Sequence, residues 1–367
     1  MGFSPPLGAP GVGPAPQRGR CIQVMVVDDS LIVRAAFSRL VEQEPDLELA
    51  AAVSTAEDAL SLLASQRVDV ILLDLEMPGM GGLGALPQLI ARAREAKIMV
   101  VSSLTADGAE QTVEALALGA ADTLQKPASG GFDQSYKEKL LAKIRALGRR
   151  PLRRATPADS AGVVAPTLRS PSRERAAIIA IGASTGGIHS IGLLFSALPA
   201  HLSVPILITQ HLPVSFIPAF AQQLHELSGR RAIAAADGMP LTPDAILIAP
   251  GDSHLTVARK PSGAVVRLDR APATSGCMPS VDPMFASIAE AYGAAALGVV
   301  LTGMGRDGTE GAHEIAHAGG TVLVQNEATS AVWGMPGSIA RAGLASAILH
   351  PVDLAARIAS ATGTRGG

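Results

Sequence analysis

The chain's 367 residues suffice for about two domains. Hydrophobic residues make up 48% of it but aromatic ones only 3%, so its cores must be aliphatic and platforms for stacking nucleobases are not expected. The formal net charge is -2 without a basic stripe, which speaks against a nucleic-acid footprint, and the two cysteines, Cys21 and Cys277, stand far apart in no metal-ligand spacing, as in a reducing, cytoplasmic setting.

Residues 1–20 are rich in Pro and Gly, lack the apolar stretch of a secretory signal and read as a disordered extension. No apolar run further on reaches the ~18 residues of a spanning helix. From Ile22 short aliphatic runs alternate with amphipathic stretches. Ile22–Val27, Leu47–Val53, Val68–Leu73, Lys97–Val101 and Asp122–Gln125 read as strands, and a helix over Tyr136–Leu147 closes the unit. Such alternation predicts a parallel sheet with helices on both faces.

Chemistry gathers at the strand ends of this first unit. Asp28 and Asp29 follow the first strand, Asp74 the third, Ser102 the fourth and Lys126 the fifth. In a doubly wound sheet these ends share one crevice. Three carboxylates crowded there repel one another unless a cation lies among them, and hard oxygen ligands suit Mg²⁺. The competing reading is a set of solvated loop carboxylates.

The set Asp28-Asp29, Leu73-Asp74-Leu75-Glu76-Met77-Pro78, Ser102 and Lys126-Pro127 resembles the receiver domain of response regulators, a flavodoxin-like fold, over residues 21–147. The resemblance implies that Asp74 accepts a phosphoryl group from a chemotaxis-type histidine kinase. It implies that Asp28, Asp29 and Asp74 hold Mg²⁺ and that Lys126 and Ser102 engage the phosphoryl oxygens. One departure is Met80-Gly81-Gly82, where the family often has Met-Asp-Gly; the missing acid is no metal ligand in that pattern.

Residues 148–175 carry arginines and prolines without hydrophobic period and read as a linker. A second alternating unit follows over 176–360. Its clearest strands are Ala177–Ile181, Val204–Thr209, Ala245–Ile248, Val299–Thr302 and Thr321–Val324. Helices are predicted at Gly187–Ala197, Pro218–Leu227, Pro283–Tyr292, Thr309–Ala318 and Pro336–Ala342. The fold class is therefore α/β, two doubly wound parallel-sheet domains joined by a linker, the second Rossmann-like.

Gly182, Ser184 and Gly186 fit the G-x-S-x-G spacing of a nucleophile elbow, a strand-to-helix turn that lifts one hydroxyl above a sheet. His211 comes just past the next strand, and an imidazole there can take the serine proton. Asp307, in the glycine-rich loop Gly303–Gly308, can fix its tautomer. The amides of Thr185 and Met304 are the candidate oxyanion donors. Taken singly, His211 also reads as a strand-end histidine and Asp307 as a helix cap. The order Ser, His, Asp differs from the Ser, Asp, His order of α/β-hydrolases, so the geometry would be convergent.

The runs Ile181–Gly187, Gln210–Pro213, Ile248–Asp252, Pro279–Asp282, Leu301–Gly308 and Glu327–Ser330 resemble the catalytic domain of the chemotaxis protein-glutamate methylesterases, the CheB type. A receiver, a linker and this domain, in that order, is that family's architecture. The resemblance implies Ser184 as nucleophile, His211 as general base and Asp307 as its orienting acid. It implies hydrolysis of glutamyl methyl esters, with release of methanol, and deamidation of glutamines on the cytoplasmic helices of methyl-accepting chemoreceptors. It implies no cofactor at the esterase site, no nucleic-acid partner and a cytoplasmic protein that is not membrane-inserted. In the family the unphosphorylated receiver packs over the esterase site. A departure is Met278, where the family usually has arginine.

Other readings compete. Gly182–Gly187 could cradle a dinucleotide, although G-x-G-x-x-G is not met and no acid ends the second strand. A receptor-docking module without esterase activity is the other alternative. His313-Glu314-Ile315-Ala316-His317 matches the zinc-protease H-E-x-x-H motif by chance spacing. His254, near a strand-turn-strand bend, reads as a turn histidine, with a site-lining role as the alternative.

Overall fold

The computed structural model describes residues 21–102, 105–126, 132–149, 166–199, 202–261 and 263–363. The extension expected over residues 1–20, and residues 150–165 of the expected linker, lie outside the described residues.

The first unit alternates β1 (Ile22–Val27), α1 (Leu31–Glu42), β2 (Leu47–Val53), α2 (Ala56–Leu62), β3 (Val70–Asp74), α3 (Gly81–Arg92), β4 (Lys97–Ser102), α4 (Ala106–Leu118), β5 (Asp122–Gln125) and α5 (Gln134–Gly148). Its five strands run parallel in the order β2-β1-β3-β4-β5. Every residue of β3 is buried, as expected of a strand covered on both faces. The chain goes from β1 outward to β2 and then back across to β3. The crevice at the carboxyl ends of β1 and β3 is therefore the switch point at which such sheets bind ligands.

The second unit begins with β6 (Ile178–Ala183), α6 (Gly187–Ala197), β7 (Ile206–Gln210), α7 (Ile217–Ser228), β8 (Arg231–Ala234) and β9 (Ala245–Ile248). An antiparallel hairpin, β10 (His254–Lys260) and β11 (Gly263–Asp269), leads to α8 (Val281–Tyr292). It ends with β12 (Ala296–Val300), α9 (Thr309–His317), β13 (Thr321–Gln325), α10 (Met335–Arg341), β14 (Ala347–Leu349) and α11 (Pro351–Thr362). Seven strands run parallel in the order β14-β13-β12-β6-β7-β9-β8. Here the switch point lies between β6 and β12. The loops after these two strands, and after β7 beside them, open on the same rim.

Several predicted boundaries shift. The third strand is Val70–Asp74 rather than Val68–Leu73, so Asp74 closes the strand instead of following it. The strand expected at Val299–Thr302 is Ala296–Val300: the Leu301 amide still donates to the Gly182 carbonyl of β6, but the Thr302 amide leaves the ladder and donates to the Gln325 side chain. The hairpin β10–β11, the edge strands β8 and β14, and α11 were not predicted. β8 and β14 are only 4 and 3 residues long, too short to show a period.

The two units share one aliphatic core. Val113, Leu116, Ile188, Ile191, Leu212 and Phe216 belong to a single buried cluster. Helix α4 packs against α6, α7 and the short 3₁₀ turn Val214–Phe216.

Candidate active site

Two groups of candidate functional side chains occupy the two switch points. In the first unit one oxygen each of Asp28, Asp29 and Asp74 lies within 4.8 Å of the others. Asp28 and Asp74 are buried, and Asp29 is exposed. Lys126 Nζ donates to Asp74 Oδ2 at 2.6 Å and stands 3.5 Å from Asp28 Oδ2. Burial raises the pKa of both carboxyls above the ordinary value, more than Lys126 lowers them. Burial also works against the ammonium, but the bonds and charges of Asp74 and Asp28 outweigh it and raise the Lys126 pKa. The lysine gains from the pairing while the acids stay under-compensated, because one ammonium faces three carboxylates. A hard divalent cation fits that deficit, and Asp28 Oδ2 is a buried oxygen without a hydrogen-bond partner among the described residues. The same holds for the Ser102 hydroxyl, at the end of β4.

In the second unit β6 runs into Ser184 and then into α6. Gly186 makes the turn with φ 77° as the residue capping α6; a Cβ there would lie 2.6 Å from Ala331 Cβ. The elbow is braced from both sides. The Ser184 amide donates to the Thr302 carbonyl at 3.0 Å, Gln210 Nε2 donates to the Ser184 carbonyl at 2.9 Å, and the Thr302 hydroxyl donates to the Thr185 carbonyl at 2.9 Å. The Gly303 backbone packs against Ser184: a Cβ at that glycine would fall 2.8 Å from Ser184 Cβ. Ser184 itself is half-buried.

His211 follows β7, its amide bonded to the Ala183 carbonyl at 3.1 Å, which keeps it beside the end of β6. Its Nε2 lies 2.8 Å from Asp307 Oδ2. A carboxylate can only accept, so Nε2 carries the proton and Nδ1 keeps the lone pair. No hydrogen bond joins the Ser184 hydroxyl to His211 among the described residues. Unliganded nucleophile–base pairs are often open in this way and close on substrate.

Asp307 is buried at 2% exposure and heavily bonded. The Ser280 hydroxyl donates to its Oδ1 at 2.6 Å, the Val281 amide to its Oδ2 at 2.8 Å and the Gly308 amide to its Oδ1 at 3.0 Å. Burial alone would raise its pKa, yet His211, Ser280 and Val281 hold it well below the ordinary carboxylate range. The carboxylate sits at the N-terminus of α8, where the first amides and the helix dipole favour negative charge. It does not cap α9; Gly308 takes that position. Asp282, in the first turn of α8, is pushed the other way: burial raises its pKa against the Gly311 amide, and the charge of Asp307 adds to the rise.

The amides of Thr185 and Met304 meet no acceptor among the described residues, which leaves both available to a ligand oxygen. The structure thus brings Ser184, His211, Asp307 and the two amides to one rim. Several contributors were not predicted. Ser280 holds Asp307, and His254 in turn holds Ser280: its Nδ1 accepts from the Ser280 amide at 2.9 Å while its Nε2 meets the Ala271 carbonyl at 2.8 Å. His254 is fully buried at the start of β10, not a turn histidine. The Pro-Ser-Val-Asp run was a visible signal for Ser280; for His254 the alternative of a place beside the site fits its bond to Ser280 better than the turn reading does. His313 and His317 lie exposed on α9 and join no three-ligand cluster among the described residues.

The first unit reaches the elbow directly. Thr185 Oγ1 donates to Asp122 Oδ2, the Gly186 amide donates to the Ala121 carbonyl, both at 2.6 Å, and His189 Nδ1 lies 2.9 Å from the Ala117 carbonyl. The contacts come from the α4–β5 segment, at the opposite end of the first sheet from its acid pocket.

A sequence-family model described as CheB methylesterase matches residues 179–358, and one described as response regulator receiver domain matches residues 24–132. The chain is 44% identical over 339 residues to protein-glutamate methylesterase/protein-glutamine glutaminase 2 of Caulobacter vibrioides, spanning 90% of this chain and 96% of that one. It is 40% identical over 369 residues to protein-glutamate methylesterase/protein-glutamine glutaminase 1 of Rhodospirillum rubrum, spanning 93% and 95%. The crystal structure of the Thermotoga maritima CheB methylesterase catalytic domain aligns with a TM-score of 0.49 at 34% identity, over 50% of this chain and 98% of that one. Among the described residues no helix is long and apolar enough to cross a membrane.

Proposed function

The chain belongs to the CheB methylesterase family, with a response-regulator receiver ahead of the esterase domain, and from that premise we propose that it is a cytoplasmic hydrolase that removes methyl groups from glutamyl esters, and amide nitrogen from glutamines, on chemoreceptor helices. The observation that carries this reading is the 2.8 Å bond between His211 and the buried Asp307 on the rim where β6 presents Ser184. Serine, imidazole and carboxylate from three separate strand ends have one economical explanation, acyl transfer.

Ser184 Oγ attacks the ester carbonyl while His211 Nδ1 takes its proton. The Nε2 proton stays on the ring, and Asp307 stabilises the imidazolium without being protonated, as its lowered pKa requires. The Thr185 and Met304 amides receive the developing oxyanion. Protonated His211 returns its proton to the departing methoxide, and methanol leaves. Water, deprotonated by the same nitrogen, then attacks the acyl carbon; the bond to Ser184 Oγ breaks, Oγ takes the proton back from His211, and glutamate leaves. For a glutamine the leaving group is ammonia.

Asp74 is the proposed phosphoacceptor, with a chemotaxis-type histidine kinase as donor. Asp28, Asp29 and Asp74 would hold Mg²⁺, which supplies countercharge for the phosphoryl group. Lys126 is positioned to pair with a phosphoryl oxygen, and Ser102 offers a hydroxyl without a competing partner among the described residues. The receiver's hold on Thr185 and Gly186 supports an inhibitory role for the unphosphorylated state. Each tenfold of activation needs about 1.4 kcal/mol of bias toward the open arrangement.

The test is methanol release from methylated receptor membranes, with and without a small phosphodonor. Release should rise with the donor, and Ser184→Ala should lose turnover on the order of 10⁶-fold. Undiminished release by Ser184→Ala would overturn the reading.

A further inference from the structure

Cys277 lies outside every motif used above, in the segment between β11 and α8, yet its sulfur comes to the triad. One ligand atom each of His211, Cys277 and Asp307 lies within 4.8 Å of the other two. We propose that these three side chains form a binding site for a thiophilic divalent cation such as Zn²⁺, whose occupancy takes His211 out of service as a base.

Nitrogen, sulfur and carboxylate oxygen are the donors zinc selects, and three protein ligands with a fourth position left to water is its common open arrangement. Around tetrahedral zinc, with bonds of about 2.0–2.3 Å, neighbouring ligand atoms stand roughly 3.3–3.7 Å apart. From a separation of at most 4.8 Å, closure needs a contraction of no more than about 1.5 Å, within reach of a half-buried side chain on an irregular segment. His211 and Asp307 are already closer, at 2.8 Å, so the ion would replace the proton they share. Thiolate and carboxylate together balance the two positive charges; the thiol proton leaves to solvent, and the ring proton moves from Nε2 to Nδ1, so the imidazole binds neutral and Nδ1 no longer offers a lone pair.

The supporting shell is already built. Ser280 and the Val281 amide orient Asp307 from the side of α8, as outer-shell donors fix ligating carboxylates elsewhere. The receiver's acid pocket does not compete, since its three carboxylates offer only hard oxygen. Cation binding rests on the geometry of the three side chains alone. Loss of hydrolysis rests in addition on the proposed role of His211.

The experiment uses the full chain with excess Mg²⁺ present and titrates Co²⁺ as a spectroscopic substitute. A thiolate-to-cobalt charge-transfer band should rise to one equivalent, vanish in Cys277→Ser and persist in Cys21→Ser. Oxygen-ligated cobalt in the receiver gives no such band. On the unaltered protein, Zn²⁺ should protect Cys277 from iodoacetamide, read by peptide mapping, so the result does not depend on how the variant folds. Zn²⁺ should also slow hydrolysis of a soluble ester by about 10²–10⁴, the usual contribution of a general base. Absence of the band, an undiminished band in Cys277→Ser, or equal alkylation with and without Zn²⁺ would each overturn the site. A band lost in Cys277→Ser without slower hydrolysis would leave the site standing and count against His211 as the base.

Discussion

Thr185 Oγ1 donates a 2.6 Å hydrogen bond to Asp122 Oδ2. The first residue directly follows the proposed nucleophile; the second opens β5 of the receiver. Lys126, which holds Asp74, directly follows the other end of that 4-residue strand. A single short strand therefore runs from the receiver's acid pocket to its grip on the nucleophile elbow.

If that grip restrains the esterase, releasing it should activate the enzyme without a phosphodonor. The bond is charge-assisted and buried, a kind worth about 1.5–3 kcal/mol. Asp122→Ala should raise basal hydrolysis of a soluble ester by about tenfold, the effect of 1.4 kcal/mol. Lys143 also pairs with Asp122, at 2.7 Å, but leaves the Thr185 bond in place. Lys143→Ala should therefore activate far less. Equal activation by both would place the effect in the receiver's stability instead.

Asp74→Asn should abolish the response to a phosphodonor, because an amide cannot accept the phosphoryl group. The measurement is the ratio of ester hydrolysis with and without the donor. A persisting response would move the phosphoacceptor elsewhere.

Ser280 should matter through Asp307. Its hydroxyl gives that carboxylate a 2.6 Å bond and also caps α8 by accepting from the Asp282 amide. Ser280→Ala should lower kcat on a small ester roughly tenfold, as expected for part of a charged hydrogen bond, with little change in KM. It should also cost about 1 kcal/mol of stability through the lost cap. Ser280→Thr keeps the hydroxyl and should restore kcat; failure of that rescue would separate the cap from the carboxylate.

Much of this was legible in the chain because parallel strands concentrate chemistry at one end. Once β1, β3, β6, β7 and β12 are located, the residues just past them must share a rim, so Asp28, Asp74, Ser184, His211 and Asp307 could be placed without coordinates. What could not be read was whatever reaches the site from elsewhere. His254 arrives from a hairpin whose alternation is broken by Arg259 and Lys260 at its exposed end. Cys277 lies in an irregular segment with no period at all. Asp122 belongs to another unit, and no spacing encodes which faces of two domains meet.

The acid pair at α8 gives a pH dependence of defined sign. Asp282 has its pKa raised, chiefly by burial and then by the neighbouring Asp307 charge, while the Gly311 amide opposes the rise. The folded protein thus holds this proton more tightly than the unfolded chain does. Its contribution to stability is full below the ordinary carboxylate pKa and is lost as pH rises through the folded value. Asn at this position keeps an oxygen for Gly311, which bonds Oδ1 at 2.8 Å, but cannot ionise. Asp282→Asn should therefore melt near wild type at about pH 4 and above it at about pH 8, by about 2–4 °C per kcal/mol of relieved repulsion. Thermal melts at both pH values check this. A gain that is larger at acid pH would reverse the sign and show that Asp282 is stabilised, not strained, by the start of its helix.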